Sequence, residues 1–195
     1  MKLQNPLPFL MMKLQGIRYG KGCRFRGMPV MICRGGRIEI GDRLSLASGM
    51  LTNLVGLWQR SILMTRDGGV IKIGNRVGMS GVTLYAFKRI EIGDHTLIGA
   101  NTKIFDSDFH PLDAQIRKEH PNSREHMKTA ETTIGCNVFI GCNCLILKGV
   151  HIGDNAVIGA GSVVTHDIPA NAVAAGNPAM VIREGLRSGE GIEGA

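Results

Sequence analysis

Ile134-Gly-Cys-Asn-Val-Phe, Ile140-Gly-Cys-Asn-Cys-Leu, Ile146-Leu-Lys-Gly-Val-His, Ile152-Gly-Asp-Asn-Ala-Val, Ile158-Gly-Ala-Gly-Ser-Val and Val164-Thr-His-Asp-Ile-Pro follow one another without a gap. An aliphatic residue opens each of these six units, glycine follows it in four, and Val138, Cys144, Val150, Ala156, Ser162 and Ile168 hold the fifth place. A period of six keeps no single face of a 3.6-residue helix, and an extended strand has no use for glycine in every unit. Short strands joined by tight corners satisfy both facts. The opening aliphatic then points inward and stacks on its counterparts in neighbouring coils, while the glycine relieves crowding or permits unusual dihedrals at the corner. Such a repeat is the hexapeptide β-helix signature.

Working outward, Ile92-Gly-Asp, Ile98-Gly-Ala and Ile104 carry the same pattern, as do Ile73-Gly-Asn and Met79-Ser-Gly, and Ile40-Gly-Asp followed by Leu46 begins it. Residues 47–69, which include Trp58, and residues 106–131 break the period. Loops of that length in a compact domain are usually functional or disordered. The composition agrees with a turn-rich globular chain: 195 residues, 44% hydrophobic, 20% charged, 27 glycines, and only 5% aromatic. A mean hydropathy of +0.06 argues against wholesale disorder. No apolar run approaches the roughly 18 residues needed to cross a bilayer, and Pro6 and Pro8 interrupt the apolar start, so a secretory signal is not expected. Five scattered cysteines, an odd number, speak for a reducing compartment, and a cytoplasmic location is expected. The Cys136, Cys142, Cys144 spacing is not that of a zinc site, so no metal is expected.

The net charge of +7 is unevenly placed: residues 1–70 hold 11 Lys+Arg against 3 Asp+Glu, and the remainder is close to neutral. Lys13, Arg18, Lys21, Arg24 and Arg26 lie among Phe9, Leu10, Met12, Leu14 and Ile17. A solvated basic cap is the first reading, and peripheral contact with an anionic inner-membrane surface is the alternative. No nucleic-acid motif accompanies the charge, and no nucleic-acid partner is expected.

The long second interruption opens Asp106-Ser-Asp-Phe-His110-Pro-Leu-Asp113. A histidine beside carboxylates suits general-base chemistry, although by itself it is more often merely an exposed loop residue. Residues 92–184 resemble the hexapeptide-repeat acyltransferases, in particular the maltose and galactoside O-acetyltransferases and their polysaccharide-acetylating relatives. The likeness rests on His110-Pro-Leu-Asp113, on Ile134 to Gly141, on Ile158-Gly-Ala-Gly-Ser-Val-Val-Thr165 and on Ala174-Ala-Gly-Asn-Pro-Ala179.

The resemblance implies an all-β chain: a left-handed parallel β-helix with a protruding catalytic loop and short terminal capping segments. Three hexads make one triangular coil, so Ile134 stacks under Ile152, Ile140 under Ile158 and Ile146 under Val164. The expected divisions are a basic and apolar cap over 1–30, the β-helix over 31–182 with its loop at 106–131, and a tail over 183–195. His110 is the implied base, drawing a proton from an acceptor hydroxyl that attacks acetyl-CoA directly. A backbone N–H near Gly141 or Cys142 is the implied oxyanion donor. Phe139, Gly141, Cys142, Ala160, Thr165, His166 and Arg183 form the implied cofactor set, with Phe139, Cys142 and His166 standing where relatives often carry Trp, Ser and Lys. Asp106, Asp108 and Ser80 are the acceptor-side candidates. A homotrimer with sites between subunits follows, and the acceptor is expected to be a sugar hydroxyl of a surface polysaccharide or lipid-linked glycan precursor. Alternatives are an amino sugar or antibiotic acceptor, a γ-class carbonic anhydrase, a cysteine nucleophile at Cys142 or Cys144, and a non-enzymatic β-helix binding module.

Overall fold

The computed structural model describes residues 5–185. The chain winds as a three-sided prism whose faces are parallel sheets. The first face carries strands Arg18–Tyr19, Arg37–Ile40, Val70–Ile73, Arg89–Ile92, Thr132–Ile134 and His151–Ile152. The second carries Arg24–Gly27, Ser45–Ser48, Gly78–Ser80, Leu97–Ile98, Phe139–Ile140, Val157–Ile158 and Val173–Gly176, and strand Ala179–Arg183 folds back antiparallel on the last of these. Strands Val30–Arg34, Ile62–Arg66, Thr83–Ala86, Lys103–Phe105, Leu145–Ile146 and Val163–Val164 make the third.

The hexad register holds residue for residue: Ile134 pairs with Ile152, Ile140 with Ile158 and Ile146 with Val164. On the first face, Ile40, Ile73, Ile92, Ile134 and Ile152 form one unbroken buried column. Each fully buried aliphatic side chain in such a column stabilises the fold by about 1.5–3 kcal/mol. Asn137, Asn155 and Asn171 turn the corner between the first and second faces with φ of 56°, 60° and 59°. Their side chains form a ladder, Asn137 Nδ2 donating to Asn155 Oδ1 at 2.9 Å and Asn155 Nδ2 to Asn171 Oδ1 at 3.0 Å. Asparagine is among the few residues that adopt this left-handed conformation readily.

Of the two reasons that would demand glycine after the aliphatic residue, crowding is the one the coils use. A Cβ on Gly93 would sit 2.5 Å from the Gly135 carbonyl carbon and 2.6 Å from the Cys136 nitrogen, both backbone atoms of the next coil. Gly93→Ala is therefore expected to destabilise the protein by about 1–3 kcal/mol, the usual cost of overpacking, read as a lowered urea midpoint at unchanged m-value.

The prism begins earlier than the 1–30 cap implied. The cap proper is helix Leu7–Leu14, with Met12 fully buried and Phe9 packed on Tyr19 and Phe25, and the first coil starts at Arg18. Tyr19-Gly20 occupies the place of Ile40-Gly41, and Phe25 pairs with Leu46, so an aromatic disguises the hexad. The first interruption is likewise shorter than 47–69. Ile62–Arg66 is an alternating strand seated between Val30–Arg34 and Thr83–Ala86, which leaves 49–61 as the insertion. The carboxy-terminal tail, from residue 186 on, lies outside the described residues.

The faces differ in character. Outward positions of the first face pair charge with charge: Arg18 and Arg37 meet Glu39, and Lys72 and Arg89 meet Glu91. Outward positions of the third face are mostly apolar, among them Ile32, Met64, Tyr85, Phe105, Leu145 and Val163, alternating with the buried column from Met31 to Val164.

Candidate active site

The loop 106–131 leaves the prism at the edge between the third and first faces, and its root is held rigidly. Asp106 is fully buried; its carboxylate accepts from the Phe87 N–H at 2.9 Å and the Lys88 N–H at 2.7 Å, and its carbonyl accepts from Ala130. Burial pushes the Asp106 carboxyl above its ordinary pKa, outweighing those amides. Asp106 is thus a structural pin, a correction to its expected role near the acceptor, because no oxygen of it faces solvent. Asp108 places Oδ1 2.8 Å from Lys148 Nζ, while its buried Oδ2 has no hydrogen-bond partner among the described residues.

Phe109 lies with its ring against Tyr85, Phe87 and Phe105, at centroid distances of 5.2, 6.0 and 5.0 Å, and with φ of 63°. A bulky residue in the left-handed region persists only where its surroundings over-determine it. Here the aromatic cluster does so, and the effect is to turn the next residue, His110, out into solvent. His110 Nδ1 lies 2.7 Å from the Pro121 carbonyl oxygen. A carbonyl only accepts, so Nδ1 carries the proton and Nε2 presents its lone pair, the state a general base requires. The orienting partner is that carbonyl, where a carboxylate had been expected. Asp113 caps helix Ala114–Glu119 by accepting from the Ile116 N–H at 2.9 Å.

On the second face, Asn53, Ser80, Ala100, Phe139, Cys142 and Ala160 line a groove of about 670 Å³ that runs on past Val157 and Val173 to Ile182. One wall is the 49–61 insertion. Leu57 is buried against Ala47 and Ala100, Asn101 donates to the Gly56 carbonyl at 3.0 Å, and Asn53 Nδ2 donates to Ser80 Oγ at 3.1 Å. Asn53 and Asn101 carry no signal in the sequence: Asn53 sits in an aperiodic stretch, and Asn101 is indistinguishable from any other corner asparagine.

The two amides proposed for the oxyanion separate cleanly. The Gly141 N–H donates to the Ile158 carbonyl at 2.8 Å and is unavailable. The Cys142 N–H has no partner among the described residues. Three equivalent amides on the edge between the first and second faces are capped by a side chain one coil along: Asp42 N–H by Asn75 Oδ1 at 2.9 Å, Asn75 N–H by Asp94 Oδ1 at 2.7 Å, Cys136 N–H by Asp154 Oδ1 at 2.7 Å. Ala160 stands where the cap of Cys142 would be and has no oxygen to offer. Cys144 is buried, its thiol donating toward the Gly159 carbonyl at 3.2 Å, and burial raises its pKa, which removes it as a nucleophile.

The cofactor set divides. Phe139, Gly141, Cys142 and Ala160 belong to the groove, and Arg183 ends the strand beside it. Thr165 and His166, joined by a 2.8 Å contact between Oγ1 and Nδ1, follow strand Val163–Val164 on the edge that also carries the His110 loop. One chain therefore does not bring the two halves together.

The bacterial transferase hexapeptide family, a six-repeat pattern, matches residues 131–166. Galactoside O-acetyltransferase of Escherichia coli K12 is 39% identical over 148 residues, 75% of this chain and 70% of that protein. The chain belongs to the hexapeptide-repeat acyltransferases. A putative lipopolysaccharide biosynthesis O-acetyl transferase of the same organism is 29% identical over 84% of this chain and 80% of its own length. A solved galactoside acetyltransferase in complex with coenzyme A superposes with a TM-score of 0.55 at 30% identity, over 87% of this chain and 65% of that one. Like the family's other members, this hexapeptide-repeat acyltransferase is a left-handed β-helix, and it is an enzyme.

Proposed function

We propose that the protein transfers an acetyl group from acetyl-CoA to a sugar hydroxyl at a site completed by two copies of the chain. The observation that carries this reading is the pairing of a base with a free Nε2 on one prism edge and an uncapped amide in an apolar groove on another. His110 takes the hydroxyl proton as that oxygen attacks the thioester carbonyl, and the Cys142 N–H receives the oxyanion. The carbon–sulfur bond then breaks and the imidazolium returns its proton to the departing CoA thiolate, giving the O-acetyl sugar and CoA. The apolar run from Val157 to Ile182 suits the pantetheine arm, and the names of the two Escherichia coli relatives support a sugar or surface-glycan acceptor.

The third face lies between the edge that carries His110 and the groove edge. Its apolar outward residues would be buried if copies packed through it; closure by rotation makes a ring, and the trimer is the ring that the family resemblance implies. Leu145→Glu is expected to convert trimer to monomer in light scattering and to abolish turnover together with assembly; a fully active monomer would remove the shared site. Cytoplasmic placement with peripheral membrane contact belongs to the same reading. The cap helix exposes Leu7, Leu10 and Leu14 beside Lys13, and among the described residues no helix is long and apolar enough to cross a membrane. The deciding experiment is CoA release from acetyl-CoA against a panel of sugar acceptors, with wild type and His110→Ala compared.

A further inference from the structure

The groove does not end at the acetyl-transfer point. Ser80, Gly99 and Phe139 are shared with a second depression on the same face, which continues across Ser45 and Gly78 to Arg26 in the first coil. Character changes along this path. Toward the carboxy-terminal coils the lining is aliphatic; toward the amino-terminal coils it offers the Asn53–Ser80 pair, the Ser45 hydroxyl and then a guanidinium. Arg26 is the charged side chain of the lining, and Arg24, two residues earlier in the same strand, points to the same side.

These two arginines differ from the cations on the first face. On the first face, arginines and lysine are all matched by Glu39 or Glu91. The side chains of Arg24 and Arg26 have no ion-pair or hydrogen-bond partner among the described residues, although the backbone of strand Arg24–Gly27 pairs fully with Ser45–Ser48. Four rungs separate the Cys142 coil from the Arg26 strand, about 19 Å at about 4.8 Å per rung. That span is too long for one pyranose held at the amide. It accommodates a hexose followed by two phosphates, with the guanidinium reaching back over Ser45, and paired phosphate oxygens are the ligand an arginine fork matches best.

Resting on the acetyl-transfer reading, we infer that Arg26, supported by Arg24, binds a diphosphate on the acceptor, so that the acceptor is a glycosyl diphosphate. Nucleotide-linked and lipid-linked sugars share this chemistry.

The first test titrates inorganic pyrophosphate calorimetrically into protein saturated with CoA, so that the cofactor's own phosphate contacts are occupied. Binding is expected, with Arg26→Gln weakening it at least about tenfold and leaving CoA affinity unchanged. No binding, binding indifferent to Arg26→Gln, or displacement of CoA by pyrophosphate each overturns the proposal. UDP and a short prenyl diphosphate are then compared: tighter binding of one assigns the nucleotide or the lipid source, and equal binding leaves recognition at the diphosphate itself. In turnover, UDP-hexoses should outcompete the free hexoses in an Arg26-dependent manner; equal use of free hexoses counts against the site. Pyrophosphate bound through Arg26 without CoA release from any acceptor would instead leave the site standing and fail the transfer reading.

Discussion

His110→Ala lowers kcat by about 10²–10⁴-fold, the share that a positioned general base contributes, while acetyl-CoA binds as before. The expectation follows from how the imidazole is held. The Pro121 carbonyl 2.7 Å from Nδ1 selects the tautomer with a bare Nε2, and the Phe109 ring locked among three aromatics aims it. His110 acts on the acceptor hydroxyl and is not among the residues that line the cofactor groove, so CoA affinity by calorimetry should not move. CoA release that survives the substitution unchanged would strip His110 of its role and turn attention to the other histidines of the 106–131 loop, His120 and His126.

Ala160→Asn should cost about 10²–10³ in kcat, the measured scale for loss of one oxyanion donor, in a protein at least as stable as the parent. The reasoning is an internal analogy. Asn75 Oδ1 caps the Asp42 N–H at 2.9 Å and Asp154 Oδ1 caps the Cys136 N–H at 2.7 Å, each from the position that Ala160 occupies relative to Cys142. An asparagine at 160 supplies the missing acceptor, satisfies the amide and contributes about 0.5–1.5 kcal/mol. The catalytic donor is thereby withdrawn without touching His110. Ala160→Val adds bulk without an acceptor and separates the two effects. If asparagine lowers kcat and valine does not, with CoA affinity retained in both, the amide is the donor; equal losses in both variants would assign the edge to cofactor packing instead.

The legible part of the site was the part written in local sequence. His110 stood in an aperiodic loop with a recognisable neighbourhood, and the groove residues Phe139, Cys142 and Ala160 stood at repeat positions. Asp106 is not separable from the loop's other two aspartates, Asp108 and Asp113, by sequence. Only the fold shows that one of them is buried under the Phe87–Lys88 turn, 18 or 19 positions away along the chain. The start of the prism was hidden for a similar reason, since Tyr19-Gly20 and Phe25 do not resemble an isoleucine hexad until they are seen stacked on Ile40 and Leu46.

A repeat of six with glycine at its second place determined, by itself, that this chain coils in parallel, which residues point inward and which residues stack, because inward and outward are set by local spacing. Tertiary structure alone decided that Gly141 is occupied and Cys142 open, that Asp106 pins while His110 faces out, and that the two halves of the site lie on different edges. The physical reason is that a hydrogen bond in a stacked coil is completed by the coil above or below. Whether an amide is satisfied or left free to do chemistry thus depends on a residue a full turn away, where an aspartate and an alanine have opposite effects.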